Sequence, residues 1–283
     1  MSIPATGGRS LSKSVAVGLF LGALFLLSVL IYKELFVVLA AAAAGAGAWE
    51  LSSALRLKGW YVPRVPAVVG SVLIMPAAFY GGAELQWLVS LGIVAALILW
   101  RTVHLLWEAR EAPRQAIAHN LRDYAASAFV VIYLPLMTSF TMLLLRRPDG
   151  AAWVITFVVT VAMIDTSGYL VGRKLGKHKL APGVSPKKTW EGLVASISAG
   201  VITAVFLTQM FWGFDWWIGL ILAAVLLLAA VFGDLAESLI KRDLGVKDMS
   251  SLLPGHGGIM DRLDSILPSA LITYLFAQIF LPL

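Results

Sequence analysis

The chain has 283 residues, of which 59% are hydrophobic and 13% are charged, and its formal net charge is +6 at pH 7. A soluble domain carries about 25% charged residues and could not bury this much apolar surface. The composition therefore excludes a soluble enzyme, a nucleic-acid-binding module and a disordered chain. Cysteine is absent, which excludes disulfides, thiolate metal sites and thiol catalysis.

Nine apolar stretches divide the chain, and most of them are 18 to 23 residues long. A helix needs about 20 such residues to cross the hydrocarbon core of a bilayer. We therefore predict an all-α polytopic membrane protein with about nine transmembrane helices. The second stretch is short and rich in alanine and glycine, and it fits a span, a half-span or an interfacial hairpin. The nine stretches are 14–32, 35–49, 65–83, 85–100, 124–145, 151–170, 192–214, 216–233 and 265–283.

Lysine and arginine are concentrated in every second connection between these stretches. The N-terminus and the connections 50–64, 101–123, 171–191 and 234–264 hold 19 of the 22 basic residues. The positive-inside rule places these segments, and with them the N-terminus, in the cytoplasm. The two long connections near the C-terminus favour a division into an N-terminal transmembrane region, 1–123, and a C-terminal region, 124–283, that carries the functional loops.

The connection 171–191 has a composition typical of phosphate binding. It holds six basic side chains and one acid, together with glycines and hydroxyl groups. Ser185 and Pro186 favour a helix cap and first turn, whose free N–H groups would attract an anion. A solvated basic loop beside anionic lipid headgroups explains the same composition equally well. Asp165, a charge inside the preceding stretch, is either a functional acid or the partner of a loop base.

The connection 234–264 is acidic, with six acids and four bases. Asp234, Asp261 and Asp264 stand at membrane boundaries, where unpaired carboxylates are unfavourable, and a hard cation such as Mg²⁺ would stabilise them. The alternative is a set of ordinary helix-end acids. Gly257 and Gly258 indicate a sharp turn or contact with a ligand. His256 fits a phosphate donor, a general acid or a structural hydrogen bonder. Together the two connections predict metal-assisted phosphoryl chemistry on a lipid.

These residues also resemble a known family. The 27 residues from Ser238 to Asp264 resemble the C-terminal signature of the phosphatidate cytidylyltransferases, also called CDP-diacylglycerol synthases. The run from Ser185 to Gly192 resembles a second block of that family, and the run from Asp165 to Arg173 resembles the stretch before it. One position departs from the pattern, because Gly168 stands where members usually have alanine. The resemblance is specific from about residue 160 onward.

The resemblance implies a reaction and a set of residue roles. Family members condense CTP with phosphatidic acid, which gives CDP-diacylglycerol and pyrophosphate. It implies that Mg²⁺, with K⁺ as an optional second cation, is held by Asp234, Asp261 and Asp264. The implied catalytic residues are Lys187, Lys188, Lys241, Arg242, His256 and Arg262. The implied substrate-binding residues are Ser185, Thr189, Asp165, Ser238, Lys247, Asp248, Gly255, Gly257 and Gly258.

The expected partners are CTP, phosphatidic acid and the surrounding membrane lipids, without nucleic acid, and a homodimer is compatible with the sequence. The expected location is a bacterial inner membrane, with the active site facing the cytoplasm. Two other functions stay open. A CTP-dependent lipid kinase would share the setting and the nucleotide. A secondary transporter is less favoured, because the polar groups gather at one membrane edge and the chain shows no internal repeat.

Overall fold

Long helices dominate the part of the chain that the structure describes. The computed structural model describes residues 11–108, 110, 120–181, 185–246, 249–250 and 258–281. Its helices are α1 (Leu11–Leu30), α2 (Lys33–Leu57), α3 (Arg64–Glu108), α4 (Asn120–Val131), α5 (Met137–Arg146), α6 (Gly150–Leu175), α7 (Trp190–Trp212), α8 (Trp216–Leu244), α9 (Met260–Leu263) and α10 (Ile266–Phe280).

Within these residues, seven helical segments are long and apolar enough to cross a membrane. The prediction of an all-α polytopic membrane protein is thus confirmed. Large apolar side chains such as Leu88, Leu91 and Leu99 are exposed on the outside of the bundle, as expected of surfaces that face lipid. Trp153 and Phe157 are fully buried inside it. The count of nine spans and the side on which the N-terminus lies stay predictions.

Helix α3 corresponds to two of the predicted stretches, because its backbone breaks at Gly82. The φ of this residue is 73° and its ψ is −163°, a conformation that L side chains rarely adopt. The guanidinium of Arg146 lies where a Cβ on Gly82 would stand. The stretch 85–100 was short and open to extension through His104 to Trp107, and the segment after the break runs to Glu108.

The short alanine- and glycine-rich stretch 35–49 lies inside a longer helix. Helix α2 has 25 residues, enough to cross the bilayer, so the half-span and hairpin interpretations do not fit. Its glycines allow close packing. A Cβ on Gly47 would come within 3.0 Å of Leu134, in the π-helical turn Ile132–Leu136 that joins α4 to α5, and one on Gly45 would come within 3.0 Å of Val72.

A short antiparallel hairpin, which the sequence did not predict, interrupts the helices. Strand β1 (Lys179–Ala181) pairs with strand β2 (Ser185–Thr189). The expectation that Ser185 and Pro186 cap the next helix is therefore wrong. The cap is Thr189, whose extended backbone precedes α7 and whose side-chain oxygen accepts a hydrogen bond from Gly192 N at 3.2 Å. A threonine hydroxyl satisfies a free N–H of the first turn in this position.

Contacts between connections define two ends of the bundle. At one end, Tyr61 N donates to Asp123, and Lys188 pairs with Asp234. A Cβ on Gly245, just after the helix that carries Asp234, would lie 3.6 Å from Nζ of Lys58, so the two contacts belong to the same end. We call it the long-loop end, and its described connecting residues are 58–63, 176–181, 185–189, 245–246, 249–250 and 258–259. At the other, Lys33 Nζ donates to the carbonyl of Leu145. We call this the short-loop end, with the connections 31–32, 147–149 and 213–215.

Candidate active site

A cavity of about 800 Å³ opens at the long-loop end, between α6, α7, α8 and the residues that begin the last span. Each of three elements contributes acids to its wall. Helix α6 supplies Asp165, α8 supplies Asp234, and α9 supplies Asp261, with Asp264 as the residue that follows α9. The bases that line it are Arg173, Lys179 and Lys188.

Asp234 and Asp264 lie on the wall of one cavity because two helices approach each other closely beside them. Gly233 precedes Asp234 on α8 and is buried. A Cβ there would collide with the carbonyl oxygen of Asp264 and would lie 2.9 Å from Cγ of Pro268. A larger residue at position 233 would force α8 away from the start of α10. The absent side chain therefore allows both carboxylates to line one cavity.

The hairpin delivers a base to one of these acids. Lys188, on β2, places its Nζ 2.6 Å from Oδ2 of Asp234, and both side chains are partly accessible. The base of the hairpin rests on glycines of α6, since a Cβ on Gly172 would come 2.9 Å from Oγ1 of Thr189. Close packing of the strand against the helix thus fixes where Lys188 enters the cavity.

Glycines also bring α6 and α7 together below the hairpin. A Cβ on Gly192 would come 2.7 Å from the carbonyl oxygen of Gly168. A Cβ on Gly168 would in turn meet the hydroxyl of Ser196, which donates to the carbonyl of Ile164 at 2.7 Å. The departure from alanine at position 168 therefore coincides with a hydroxyl that fills the space of the missing methyl group.

Lys241 joins two acids on neighbouring elements. Its Nζ lies 2.8 Å from Oε2 of Glu237, which is completely buried on the same helix, and 2.9 Å from Oδ1 of Asp261. Asp261 uses its other oxygen, Oδ2, to accept hydrogen bonds from Met249 N at 3.2 Å and Gly258 N at 2.7 Å. Both oxygens of Asp261 are therefore engaged by the protein.

Whether the acids of the cavity could hold a metal ion depends on Asp234 and Asp264. Among the described residues, no group of three or more histidines and acids is placed to hold a metal. Two carboxylates beside an accessible cavity nevertheless fit Mg²⁺, which takes one or two carboxylates and completes its shell with water and phosphate oxygens. Both oxygens of Asp261 are engaged by the protein in this structure, and its assignment as a third ligand stays a prediction.

Asp165 occupies the helical part of the cavity wall. It lies in α6, ten residues before the end of that helix, and its side chain is accessible. The described residues include no ion pair between Asp165 and a base of the next loop, which was its structural interpretation. A carboxylate that stays accessible inside a span is a functional candidate.

The remaining predicted residues fall into three groups. Ser238 is half-buried on α8, whereas Arg242 and Arg262 are exposed at the long-loop end. Ser185 and Lys187 belong to strand β2. The rest of the predicted set lies outside the described residues: His256, Gly255, Gly257, Lys247 and Asp248. The roles assigned to all of these residues stay predictions.

Two buried acids near the site escaped the sequence analysis. Glu237 was counted among the loop acids without a role, and Glu50 was assigned to a connection. Glu50 is 2% exposed, and it accepts hydrogen bonds from Ile259 N and Met260 N, each at 3.0 Å. The available signal was its place beside the small-residue run of α2, which indicates close packing against other helices.

The sequence of this chain is similar to those of one protein family. A model of a family described as "Cytidylyltransferase family" matches residues 12–280. A phosphatidate cytidylyltransferase of Mycobacterium leprae is 37% identical over 94% of this chain and 87% of its own length. One from Mycobacterium tuberculosis strain H37Rv is 37% identical over 96% of this chain and 85% of its own. One from Brucella abortus strain 2308 is 38% identical over 50% of this chain and 54% of its own.

Proposed function

The chain belongs to the cytidylyltransferase family, and we propose that its long-loop cavity is the place where CTP meets phosphatidic acid. The protein transfers the cytidylyl group of CTP to the lipid phosphate. An oxygen of that phosphate forms a bond to the α-phosphorus of CTP while the bond from this phosphorus to the β-phosphate oxygen breaks. The products are CDP-diacylglycerol and pyrophosphate, which keeps atoms and charges in balance.

The observation that carries this placement is the convergence on one cavity of acids from three helical elements with bases from the hairpin. Asp234 and Asp264 are 30 positions apart in the chain, and Gly233 lets their helices touch. Lys188 adds a positive charge 2.6 Å from Asp234. A site that must bind two phosphate-bearing substrates needs this combination of cation-binding oxygens and fixed positive charge.

The protein's own residues bind and orient the phosphates. Lys188, Arg173 and Lys179 line the cavity and offset phosphate charge, and Lys187 and Arg242 add to the positive charge of the same end. Phosphate monoesters are largely ionised near neutral pH, so the lipid nucleophile needs no general base. Stabilisation of the charge on the transferred phosphorus is therefore the main task of the site.

We propose Mg²⁺ as the cofactor, held by Asp234 and Asp264. When bound, it would supply positive charge to the phosphate oxygens of CTP. Asp261 supports this pair from its own hydrogen bonds with Lys241, Met249 and Gly258. A monovalent ion such as K⁺ has no assigned ligand in this proposal.

The lipid substrate would enter from the apolar part of the cavity wall. Ile164, Leu193, Ala230 and Val231 line the cavity together with the charged residues. Such a wall suits the glycerol and upper acyl carbons of phosphatidic acid, because apolar surface there is removed from water. We further propose that the protein resides in a bacterial inner membrane with this end in the cytoplasm, supported by the 19 of 22 basic residues predicted on that side.

Product analysis tests the proposed function. Purified protein in detergent micelles would receive phosphatidic acid, Mg²⁺ and CTP that is labelled either in the cytidine ring or at the γ-phosphate. We expect ring label to enter the lipid phase and γ-label to stay in the water phase as pyrophosphate. Transfer of γ-label alone to the lipid would identify a lipid kinase, and transfer of neither label would contradict the proposal.

A further inference from the structure

Glu50 is a buried carboxylate of the N-terminal half, far in sequence from the residues assigned to the reaction. It is 2% exposed, and no ion pair among the described residues involves it. Its oxygens accept hydrogen bonds from the hydroxyl of Ser250 and from the backbone N–H groups of Ile259 and Met260. A buried negative charge is destabilising unless donors of this kind surround it, so the contact needs all its members in place.

Gly258 lies between this carboxylate and Asp261. A Cβ on Gly258 would stand 2.6 Å from Oε2 and 3.0 Å from Cδ of Glu50. Its N–H points to the other acid, donating to Oδ2 of Asp261 at 2.7 Å. Gly258 has no positive φ, which within the described residues occurs at other glycines, so a larger residue here would conflict with the hydrogen-bonded position of Glu50 and not with the backbone conformation.

Glu50 and Asp261 hold the same two pieces of chain. Glu50 accepts from Ser250 on one piece and from Ile259 and Met260 on the other. Asp261 accepts from Met249 on the first piece and from Gly258 on the second. The turn that leads into Asp261 and Asp264 is therefore fixed from α2 as well as from its own helix.

We propose that Glu50 is a positioning residue for the transfer reaction. Its hydrogen bonds fix the position of residues 258–260, and this position determines where Asp261 and Asp264 lie on the cavity wall. The inference rests on the proposed function of that cavity. A group that orients the residues around a reacting centre is worth about 10- to 100-fold in activity, because a displacement of about 1 Å is enough to spoil the alignment.

The first experiment compares Glu50→Gln and Glu50→Asp with wild type in the product assay. Glutamine places an amide donor against backbone N–H groups, so we expect kcat to fall about 10- to 100-fold, with the KM for phosphatidic acid nearly unchanged. Aspartate keeps the charge and should recover part of the loss. The matched control is Glu34→Gln, which removes the same charge from the exposed start of the same helix and should keep wild-type kcat.

The second experiment measures coupling with Gly258. In wild type, Gly258→Ala pushes a methyl group into the Glu50 carboxylate and should lower kcat about tenfold or more. In the Glu50→Ala background that carboxylate is gone, so the same glycine substitution should have a smaller effect. A double-mutant cycle of kcat values reports this difference directly.

The two experiments distinguish failure of the positioning role of Glu50 from failure of the proposed transfer reaction. If wild type forms no cytidine-bearing lipid, the proposed function fails. If wild type is active and Glu50→Gln keeps wild-type kcat per folded molecule, losing only thermal stability or yield, the positioning role is overturned. Additive effects of the Glu50 and Gly258 substitutions on kcat would also overturn it. A lowered kcat with partial recovery in Glu50→Asp and non-additive coupling supports it.

Discussion

The two ends of the bundle use acidic side chains in opposite ways. At the short-loop end, Asp149 is saturated: Oδ1 accepts from Arg147 at 3.1 Å, and Oδ2 accepts from the indoles of Trp153 at 2.6 Å and Trp212 at 3.0 Å. At the long-loop end, Asp165, Asp234 and Asp264 face a cavity of about 800 Å³.

This difference shows how a structural acid can be told from a functional one in a membrane protein. Arg147 also donates to the carbonyl of Leu281, so the acid at the short-loop end closes a network that ties α6, α7 and the C-terminal helix together. Among the cavity acids, Asp165 is exposed. Asp234 and Asp264 each have one oxygen engaged, Oδ2 of Asp234 by Lys188 at 2.6 Å and Oδ1 of Asp264 by Ser265 N at 2.7 Å. Charge at a membrane boundary alone does not distinguish the two, whereas the saturation of its oxygens does.

Removal of divalent metal should cause the largest loss of turnover. It should affect the long-loop end and leave the short-loop end unchanged. We expect excess EDTA to abolish turnover and added Mg²⁺ to restore it, because the cavity acids would lose the cation that binds phosphate. The melting temperature should change little, since the Asp149 network needs no metal. Turnover close to that of untreated protein in excess EDTA would refute the proposed cofactor.

The same substitution at each end should give opposite results. Asp264→Asn should lower turnover about 100- to 1,000-fold, the usual consequence of losing one charge that stabilises a transition state, while the protein stays folded in the membrane. Asp149→Asn should keep turnover but destabilise the fold by about 1.5–3 kcal/mol, because charge-assisted hydrogen bonds are lost. Turnover measurements and thermal unfolding in detergent check both. Equal losses of turnover in the two variants would contradict the assignment of Asp264 as a functional acid and Asp149 as a structural one.

A methyl group at Gly233 should separate the cavity acids without changing any charge. The new Cβ would collide with the carbonyl of Asp264, so Gly233→Ala should cost about 1–3 kcal/mol of strain and lower turnover sharply. The control is Gly92→Ala on α3, where a Cβ meets nothing within 4 Å. That variant should be as active as wild type and slightly more stable. Normal kinetics for Gly233→Ala would mean that the helices need not touch there.

Replacement of a lysine by alanine should change the kinetics less, and only at the long-loop end of the bundle. Lys188→Ala should raise the KM for CTP or lower turnover about tenfold, because phosphate charge loses a partner in the cavity. Lys33→Ala at the short-loop end removes a hydrogen bond to the carbonyl of Leu145 and should leave the kinetics unchanged. If both variants behave like wild type, Lys188 belongs to a solvated loop.

The orientation can be measured by labelling single introduced cysteines, because the chain itself contains no cysteine that would react. Single cysteines at exposed positions, His178→Cys in the hairpin region and Glu84→Cys near Gly82, would report on the two ends. In inner-membrane vesicles turned inside out, a membrane-impermeant maleimide should label the cysteine at 178 and not the one at 84. The reverse pattern would place the cavity outside the cytoplasm.

The local features of the fold were predictable, because each depends on a short window of sequence. Apolar stretches give spans, and Asp234, Asp261 and Asp264 stand out as acids at their ends. The motif of glycines and bases between 165 and 192 likewise indicated phosphate chemistry.

The features that were missed depend on which helices touch. Glu50 meets residues about 200 positions away, and hydropathy does not encode that pairing. At Gly82 the guanidinium of Arg146 occupies the place of a Cβ, and at Gly172 a Cβ would come 2.9 Å from the hydroxyl of Thr189 in the hairpin; neither neighbour is close in sequence. The sequence analysis assigned the cap to Ser185 and Pro186, whereas these residues belong to a strand and the cap is Thr189 at its end.

The network around Asp149 has a practical consequence for spectroscopy. The rings of Trp153 and Trp212 lie 4.1 Å apart, at an angle of 32°, and each donates to the same carboxylate oxygen. Two indoles held this close exchange excitation and should give a paired circular dichroism band in the ultraviolet. Loss of that band would mark the moment at which α6 and α7 part, a native optical probe that requires no label.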